Sequence, residues 1–232
     1  MEETRPGSIV VGGLKLKWHE LAAPDSGDCG RGFGLWVVDD PDALLDHITE
    51  AEYYANDERM PYFGTIWPAA ESLAAKVLAG PPLDGMRVLD LGCGLGACGL
   101  AAARRGARVT FLDWEPRSLK IVEANARAQV PPLPSIERVV ADWRKPPPME
   151  PFDLVLGADV LYEQRNGPAV AAFLARHLAV GAEAWISDPG RLHSRSFPSL
   201  AQQAGLEFLG GEILPPMAHR RDVTLLRLRR AS

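Results

Sequence analysis

The amino-acid sequence predicts an α/β protein with a doubly wound sheet of seven strands, mostly parallel, in which the last strand runs antiparallel. After residue 65, Pro and Gly residues divide the chain into alternating strand-like and helix-like segments, which is typical of a parallel sheet with helices on both faces. A chain of 232 residues, 47% of them hydrophobic, is long enough for one such domain and short for two. The last two apolar segments have no helix between them, so we expect them to pair as an antiparallel hairpin.

Each predicted strand is a short run of apolar and β-branched residues. The seven runs are 87–92, 108–113, 135–142, 152–159, 183–188, 206–214 and 222–230. The predicted helices are 67–78, 96–105, 116–128, 168–178 and 196–204. Pro116 suits a first helical position, because a proline has no N–H group to leave unpaired there. The apolar residues of 67–78 are spaced to bury one face of a helix.

Residues 1–60 predict a small extension that packs on the main domain, which we place at residues 61–232. The segments IVVGGLKLKWHEL and GLWVVDD indicate strands around a Gly-rich loop, and PDALLDHITEAEYY indicates a helix. This part has too few large apolar residues for a core of its own.

Composition excludes several classes of function. A net charge of -5 without a long basic run gives no electrostatic footprint for nucleic acid. An acidic start without an apolar leader, and the lack of any run of about 18 apolar residues, predict neither secretion nor a membrane span. Cys29, Cys93 and Cys98 lack the paired spacing of a zinc site, so we expect no metal, reduced thiols and a cytoplasmic protein. We also expect a monomer.

The segment VLDLGCGLGACGL, residues 88–100, fits two different cofactor loops. Gly94, Gly96 and Gly99 spell G-x-G-x-x-G, the fingerprint of dinucleotide binding. The same segment, read from Asp90, spells D-x-G-x-G-x-G, the loop that binds S-adenosylmethionine (SAM).

Register and charge favour SAM. In the dinucleotide fingerprint the strand runs directly into the first glycine, whereas here Gly92 already ends the strand before Gly94. Asp90 would face the negative pyrophosphate of NAD, but it suits the ammonium and sulfonium of SAM. One feature still supports NAD, since Asp113 ends the next strand 19 residues after Gly94, near the spacing of a ribose contact. We predict SAM as cofactor, with S-adenosylhomocysteine as product.

Two further strand ends extend this predicted nucleoside site. Asp113 offers two acceptors to a ribose diol, while Asp142 and Trp143 offer an acceptor and an aromatic plane for adenine. In an open α/β sheet, ligands bind beyond the carboxyl ends of the strands, where all of these residues are expected.

Residues 88–116 resemble motifs I and II of the class I SAM methyltransferases, whose Rossmann-like sheet has seven strands, and the resemblance covers about residues 60–230. Three further segments resemble the protein-lysine methyltransferases with a D-x-x-Y motif: PYFGTIWPAAESLA (61–74), ADW (141–143) and GADVLYE (157–163). ISDPGR (186–191) is similar to the lysine methyltransferases that act on the β-subunit of electron transfer flavoprotein.

The resemblance implies a set of site residues. The cofactor contacts would fall on Trp67, Gly92, Cys93, Gly94, Asp113, Trp114, Trp143 and Ala158. The acceptor would meet Asp159, which could hold a lysine ammonium, and Tyr162. Each has a structural alternative: Asp113 and Asp159 could cap the segment that follows them, and a tryptophan could be part of the core. For Asp188 and Arg191 we expect a structural turn.

The function predicted from these residues is SAM-dependent methylation of a lysine side chain on a partner protein. Three alternatives stay open: a small-molecule N- or O-methyltransferase, a SAM-binding scaffold without catalysis, and an NAD(P) oxidoreductase. Methyl transfer requires positioning and exclusion of water more than acid–base groups. A lysine, with a pKa of about 10.4, must lose its proton before it attacks, and the positive cofactor would lower that pKa.

Overall fold

The computed structural model describes residues 7–21, 33–46, 49–55, 57, 60–129, 131, 133, 136–215, 217 and 221–231. Its strands are β1 (Ser8–Val11), β2 (Leu14–Glu20), β3 (Gly34–Val38), β4 (Arg87–Leu91), β5 (Arg108–Asp113), β6 (Glu137–Val140), β7 (Phe152–Ala158), β8 (Leu178–Asp188), β9 (Leu206–Leu214) and β10 (Val223–Arg230). Its α-helices are α1 (Ala43–Asp46), α2 (Glu50–Ala55), α3 (Pro68–Ala79), α4 (Ala97–Arg104), α5 (Pro116–Ala128), α6 (Asn166–His177) and α7 (Phe197–Gln203). Short 3-10 turns lie at Tyr62–Gly64 and Leu192–Ser196.

Within these ranges, seven strands form the main sheet in the order β6-β5-β4-β7-β8-β10-β9. The pairs from β6 to β8 are parallel, and β10 is antiparallel to both of its neighbours. This topology confirms the predicted fold class, including the hairpin of the last two strands. The strand order reverses between β4 and β7, which makes the carboxyl ends of these two strands the switch point where α/β sheets bind ligands.

Helices cover both faces of the sheet, because both faces are apolar. On one face, Leu73 of α3, Leu100 of α4 and Ile121 of α5 belong to one buried cluster. On the other face, Phe173 of α6 and Phe197 of α7 are part of a second cluster. No helix in the described part of the chain is long and apolar enough to cross a membrane.

Most predicted elements match the structure, and the differences have local causes. Helix α5 and strand β9 have the predicted bounds. Strand β6 is shorter, so Asp142 lies in a turn after it. Leu178, predicted as the end of α6, is instead the first residue of β8, where it is fully buried and pairs with Phe152. Burial against β7 therefore outweighs the helical pattern at this position.

The described part of the N-terminal extension is a three-stranded antiparallel sheet, β1-β2-β3, that packs against α5. The side chain of Asn125 in α5 accepts a hydrogen bond from Trp36 N (2.6 Å) and donates one to Trp36 O (3.2 Å). The predicted helix over 41–54 is represented by α1 and α2, with residues 47–48 outside the described residues. Residues 22–32, which hold most of the Gly-rich loop and Cys29, also lie outside them. The boundary at residue 60 stays a prediction.

Candidate functional site

A pocket of about 310 Å³ lies at the carboxyl ends of β4, β5 and β7. Its walls are the glycine loop after β4, the residues that follow β5 and β7, the segment before α3, and Arg191 beyond β8. The pocket thus occupies the switch point of the sheet, and all of these walls except the segment before α3 follow the end of a strand.

The glycine loop is shaped by close contacts that only glycine permits. Gly92 has a φ of 63°, and a Cβ there would lie 2.8 Å from Cζ3 of Trp143. The Trp143 ring therefore packs directly on the loop backbone, and both line the pocket. Ser118 of α5 donates a hydrogen bond to Gly94 O at 2.6 Å, which holds the loop from the helix side.

Asp90, at the end of β4, lies against the first turn of α4. Its Oδ2 accepts a hydrogen bond from Gly99 N at 2.7 Å, a favourable place for a negative charge near a helix N-terminus. A Cβ on Gly99 would lie 2.4 Å from Phe111 and 2.9 Å from Asp90 Oδ2. The last glycine of G-x-G-x-x-G therefore serves packing. A pyrophosphate bound at this helix would face the Asp90 carboxylate, which opposes the dinucleotide interpretation.

Burial determines the charge state of these carboxylates. Desolvation raises the pKa of Asp90 to about 7, against the opposing effect of the Gly99 N–H. The pKa of Asp113 is also raised, mainly by burial, although backbone N–H groups oppose this. Both groups therefore favour a cationic ligand that would restore a counter-charge.

Asp113, at the end of β5, fastens the glycine loop. Its Oδ2 accepts a hydrogen bond from Gly94 N (2.9 Å) and its Oδ1 accepts one from Glu115 N (3.0 Å). The Ser118 side chain is a third partner, and since a carboxylate has four lone pairs, an acceptor position remains for a diol in the pocket. Glu115 also lines the pocket and pairs with Arg117 at 2.8 Å. Sequence reasoning missed Glu115, whose only signal is an acidic residue two positions after the strand end.

Aromatic side chains line both ends of the pocket. Trp114 and Trp143 lie on the β5–β6 side, and Trp67 lies before α3. Tyr62 meets Trp67 and Tyr162 in edge-to-face contacts, with ring centroids 6.0 and 5.9 Å apart. The described residues thus place an aromatic wall beside the end of β7.

Asp159 follows β7 in a left-handed conformation, with a φ of 53°. This region is uncommon for residues other than glycine, although Asp tolerates it better than most. Its N–H donates to Ser187 O at 2.9 Å, which fixes the backbone against β8. The side chain, 4% exposed, accepts two hydrogen bonds from Arg191, Nε–Oδ1 at 2.9 Å and Nη2–Oδ2 at 2.7 Å. The Asp159 carboxylate therefore already pairs with a cation of the protein, and its contact with a lysine ammonium stays a prediction.

The predicted turn at ISDPGR is present, but it also positions a pocket residue. Asp188 Oδ1 accepts hydrogen bonds from Gly190 N (2.8 Å), Arg191 N (2.7 Å) and Ser194 Oγ (2.8 Å). The Arg191 side chain then extends from the turn into the pocket wall. Sequence reasoning missed this role, because Arg191 reaches Asp159 across 32 residues of chain and only the pairing of β7 with β8 brings them together.

The two described cysteines, Cys93 and Cys98, are buried free thiols. Burial raises the pKa of each well above its ordinary value, so both thiols are protonated and unreactive. Their presence in the pocket wall is a matter of packing.

Comparison with known proteins identifies the domain. Residues 88–181 match the methyltransferase domain family. These residues belong to a methyltransferase domain. The chain is 33% identical over 130 residues to protein N-lysine methyltransferase METTL21A of Danio rerio, covering 53% of this chain and 59% of that protein. It is 32% identical over 135 residues to the electron transfer flavoprotein β-subunit lysine methyltransferase of the same organism, covering 56% and 51%.

A solved structure shows the same fold at lower identity. Magnesium protoporphyrin IX methyltransferase from Synechocystis superposes with a TM-score of 0.58 at 17% identity, covering 84% of this chain and 99% of that one. The chain spans between half and three-fifths of the length of the two curated relatives. The predicted family and fold class are confirmed.

The pocket brings together all but one of the predicted site residues. Those that line it are Trp67, Asp90, Gly92, Cys93, Gly94, Asp113, Trp114, Trp143, Ala158, Asp159 and Tyr162. Asp142 borders a smaller neighbouring cleft, and its carboxylate binds Arg144 at 2.8 and 2.9 Å. Asp142 lies beyond the end of β6 and is not among the residues that line the pocket. The cofactor and acceptor roles of these residues stay predictions.

Proposed function

We propose that this protein transfers a methyl group from SAM to a lysine side chain of a partner protein. The observation that carries the proposal is a single cavity that joins two chemically different ends. One end has the glycine loop and Asp113, and the other has Asp159 and Tyr162. The names of the two curated relatives, both lysine methyltransferases, support the choice of acceptor.

The residues at the first end suit SAM as cofactor. The Gly92–Gly94 backbone gives close approach without Cβ atoms, and Asp113 keeps an acceptor position for the ribose diol. Trp114 and Trp143 supply aromatic surface for adenine. Asp90 adds a buried carboxylate near the methionine part. When bound, SAM supplies an activated methyl group and a positive charge.

The residues at the second end would orient the acceptor. Asp159 can accept an N–H from the acceptor nitrogen on a lone pair that Arg191 does not use. Tyr62, Trp67 and Tyr162 cover the adjoining wall with aromatic surface, which limits access of water. The contribution of the protein is thus to align the nitrogen and to dry the site.

Both cysteines in the pocket wall are buried free thiols. Free thiols are usual in a reducing compartment, so the proposal places the protein in the cytoplasm, and the monomer stays a prediction. The acceptor protein would dock at the open side of the pocket.

The test is incubation of the protein with methyl-labelled SAM and a cell lysate. We expect label in protein that yields methyl-lysine after acid hydrolysis, and loss of the label with Asp113→Ala, which removes the loop fastening and the proposed ribose contact. Label found only in small molecules would replace the lysine acceptor with the alternative of a small-molecule methyltransferase. No label, together with measurable SAM binding, would favour a scaffold.

A further inference from the structure

The acceptor end of the pocket already contains a cation that belongs to the protein. The Arg191 guanidinium binds both oxygens of Asp159 in a bidentate pair. Its Cζ lies 5.9 Å from the ring centroid of Trp67, and the side chain is 39% exposed. A cation therefore occupies the carboxylate and the aromatic surface that an incoming ammonium would otherwise use.

Arg191 is held at both ends of its side chain. Its backbone N–H donates to Asp188 (2.7 Å), and its carbonyl accepts from Ser194 N (3.3 Å). At the other end, Asp159 is fixed by its hydrogen bond to Ser187 O and by its place next to β7. A guanidinium anchored in this way is a built part of the site, because moving it would break a preorganised bidentate pair.

The groups that face Arg191 keep it charged. They are Asp159 after β7, Asp188 at the end of β8, Tyr62 in the turn before α3, and the Trp67 ring. Hydrogen bonding to Asp159 raises the pKa of Arg191 above its ordinary value, although partial burial opposes this. The charge of Asp159 is thus balanced within the protein.

We propose that Arg191 is a positioning residue that makes the acceptor site select an uncharged amine over an ammonium ion. This inference rests on the proposed function, since it concerns the nitrogen that receives the methyl group. With Arg191 in place, an ammonium would bring a second cation to a carboxylate that already has one. A neutral amine instead donates one N–H to Asp159 and keeps its lone pair for the methyl carbon.

The selection accounts for every proton in the transfer. The acceptor ammonium gives one proton to water before it docks, and at pH 7 roughly one lysine in 2,500 is in that neutral form. The nitrogen lone pair forms the new N–C bond, while the electrons of the broken C–S bond stay on sulfur. The methylated nitrogen then leaves as a cation, which the Arg191 charge repels.

The test uses n-butylamine as a probe of the lysine side chain, with the protein saturated with S-adenosylhomocysteine. Ligand-observed NMR would measure its affinity between pH 8 and pH 9.5, where the probe is still mainly protonated. If only the neutral amine binds the wild-type protein, its affinity rises about tenfold per pH unit. For Arg191→Gln, which frees the carboxylate for the ammonium, we expect almost no pH dependence and at least tenfold tighter binding at pH 8.

Two variants serve as controls. Arg191→Lys keeps the positive charge and should keep the pH dependence of amine binding. If Arg191 acted only through the geometry of its bidentate pair, this variant would lose that pH dependence. Arg195→Gln makes the same change at an exposed residue outside the pocket, and it should behave as the wild type.

Two outcomes would overturn the proposal. The first is an affinity of the wild-type protein for n-butylamine that does not change with pH. This result would indicate that an incoming ammonium displaces Arg191, and it can be observed without any variant. The second is the same result for the wild type and Arg191→Gln, including binding by neither. Failure of the proposed lysine acceptor is distinguishable, because the lysate labelling can fail while the probe still shows the expected pH dependence.

Discussion

Four aspartates at strand ends show that the same residue type is given different tasks by its surroundings. Asp90 binds a helix N–H, Asp113 binds two loop N–H groups, Asp188 holds a turn, and Asp159 binds a guanidinium. All four are buried. Their partners, rather than their positions in the sequence, decide which task each of them performs.

Asp90 should link both stability and SAM binding to pH. Its pKa is raised to about 7 in the folded protein, compared with about 3.9 in an unfolded chain. Between these values the folded state binds more protons, so the free energy of unfolding should fall as pH rises, by on the order of 2–4 kcal/mol. A cationic ligand favours the ionised form, so SAM affinity should rise as pH passes 7.

Asp90→Asn should reduce both dependences, because the amide does not titrate and the buried Asp113, whose pKa is also raised, still does. Denaturant unfolding and calorimetric titration with SAM at pH 5, 6, 7 and 8 would measure them. If the variant keeps the pH dependence of the wild type, another group is responsible.

Asp159→Asn should separate acceptor chemistry from cofactor binding. The amide keeps the shape of the carboxylate but cannot form the ion pair with Arg191. We expect SAM affinity close to that of the wild type and methyl transfer to the labelled acceptor slower by roughly tenfold or more. Asp153→Asn, at the exposed opposite end of β7, is the matched control. Full activity of Asp159→Asn would remove this residue from the mechanism, and loss of SAM binding would assign it to the cofactor.

At the scale of elements, the turn from β4 into α4 is the most closely packed part of the cofactor site. Phe111 of β5 lies against Gly99 of α4, and the Asp90 carboxylate fills the remaining space next to the helix. Strand, helix and loop therefore form one unit, in which the backbone of the glycine loop cannot shift without moving the sheet.

Gly99→Ala should disrupt this unit. The new methyl group would lie within 2.4 Å of Phe111 and 2.9 Å of Asp90, so one of them must move. We expect a loss of stability of about 1–3 kcal/mol, as for overpacking of a core, together with weaker SAM binding. Gly211→Ala in β9 is the control, since its nearest neighbour would be at an ordinary 3.6 Å. Thermal unfolding and SAM titration would compare the two variants. Equal melting temperatures and equal SAM affinities would contradict the packing argument.

At the scale of the whole molecule, one side chain joins the N-terminal sheet to the cofactor loop. Besides its two bonds to Trp36, Asn125 donates to Leu95 O in the glycine loop at 3.0 Å. Leu16 and Leu35 of the extension are buried in the same cluster as Val122 of α5. The extension therefore contributes to the core that supports the site.

Asn125→Ala should loosen this connection. The variant loses three hydrogen bonds, two of them to the N–H and C=O groups of Trp36. We expect the free energy of unfolding to fall by about 2–4 kcal/mol. We also expect faster hydrogen exchange in both β3 and the glycine loop. Lys120→Ala, at an exposed position of the same helix, is the control. Faster exchange in β3 alone would show that the extension does not support the loop.

Local patterns made several parts of this protein predictable. Strand β9 and helix α5 have the predicted bounds, and the glycine loop is where its spacing indicated. The alternation of apolar residues, the positions of prolines and the spacing of glycines are patterns between residues that are close in sequence, so they can be read from a single sequence. The prediction of secondary structure was weakest at Leu178, where burial in the sheet outweighs a helical pattern, and in the short helices α1 and α2.

The sequence by itself determined the class of the fold, the location of the glycine loop and the carboxylates at the strand ends. Only the tertiary structure decided what those carboxylates bind. Asp159 pairs with Arg191 across 32 residues, and Asn125 reaches Trp36 across 89. Such contacts depend on which strands become neighbours and on how helices pack over them, and local periodicity does not encode that order. The charge balance of the acceptor end is therefore a property of the assembled sheet.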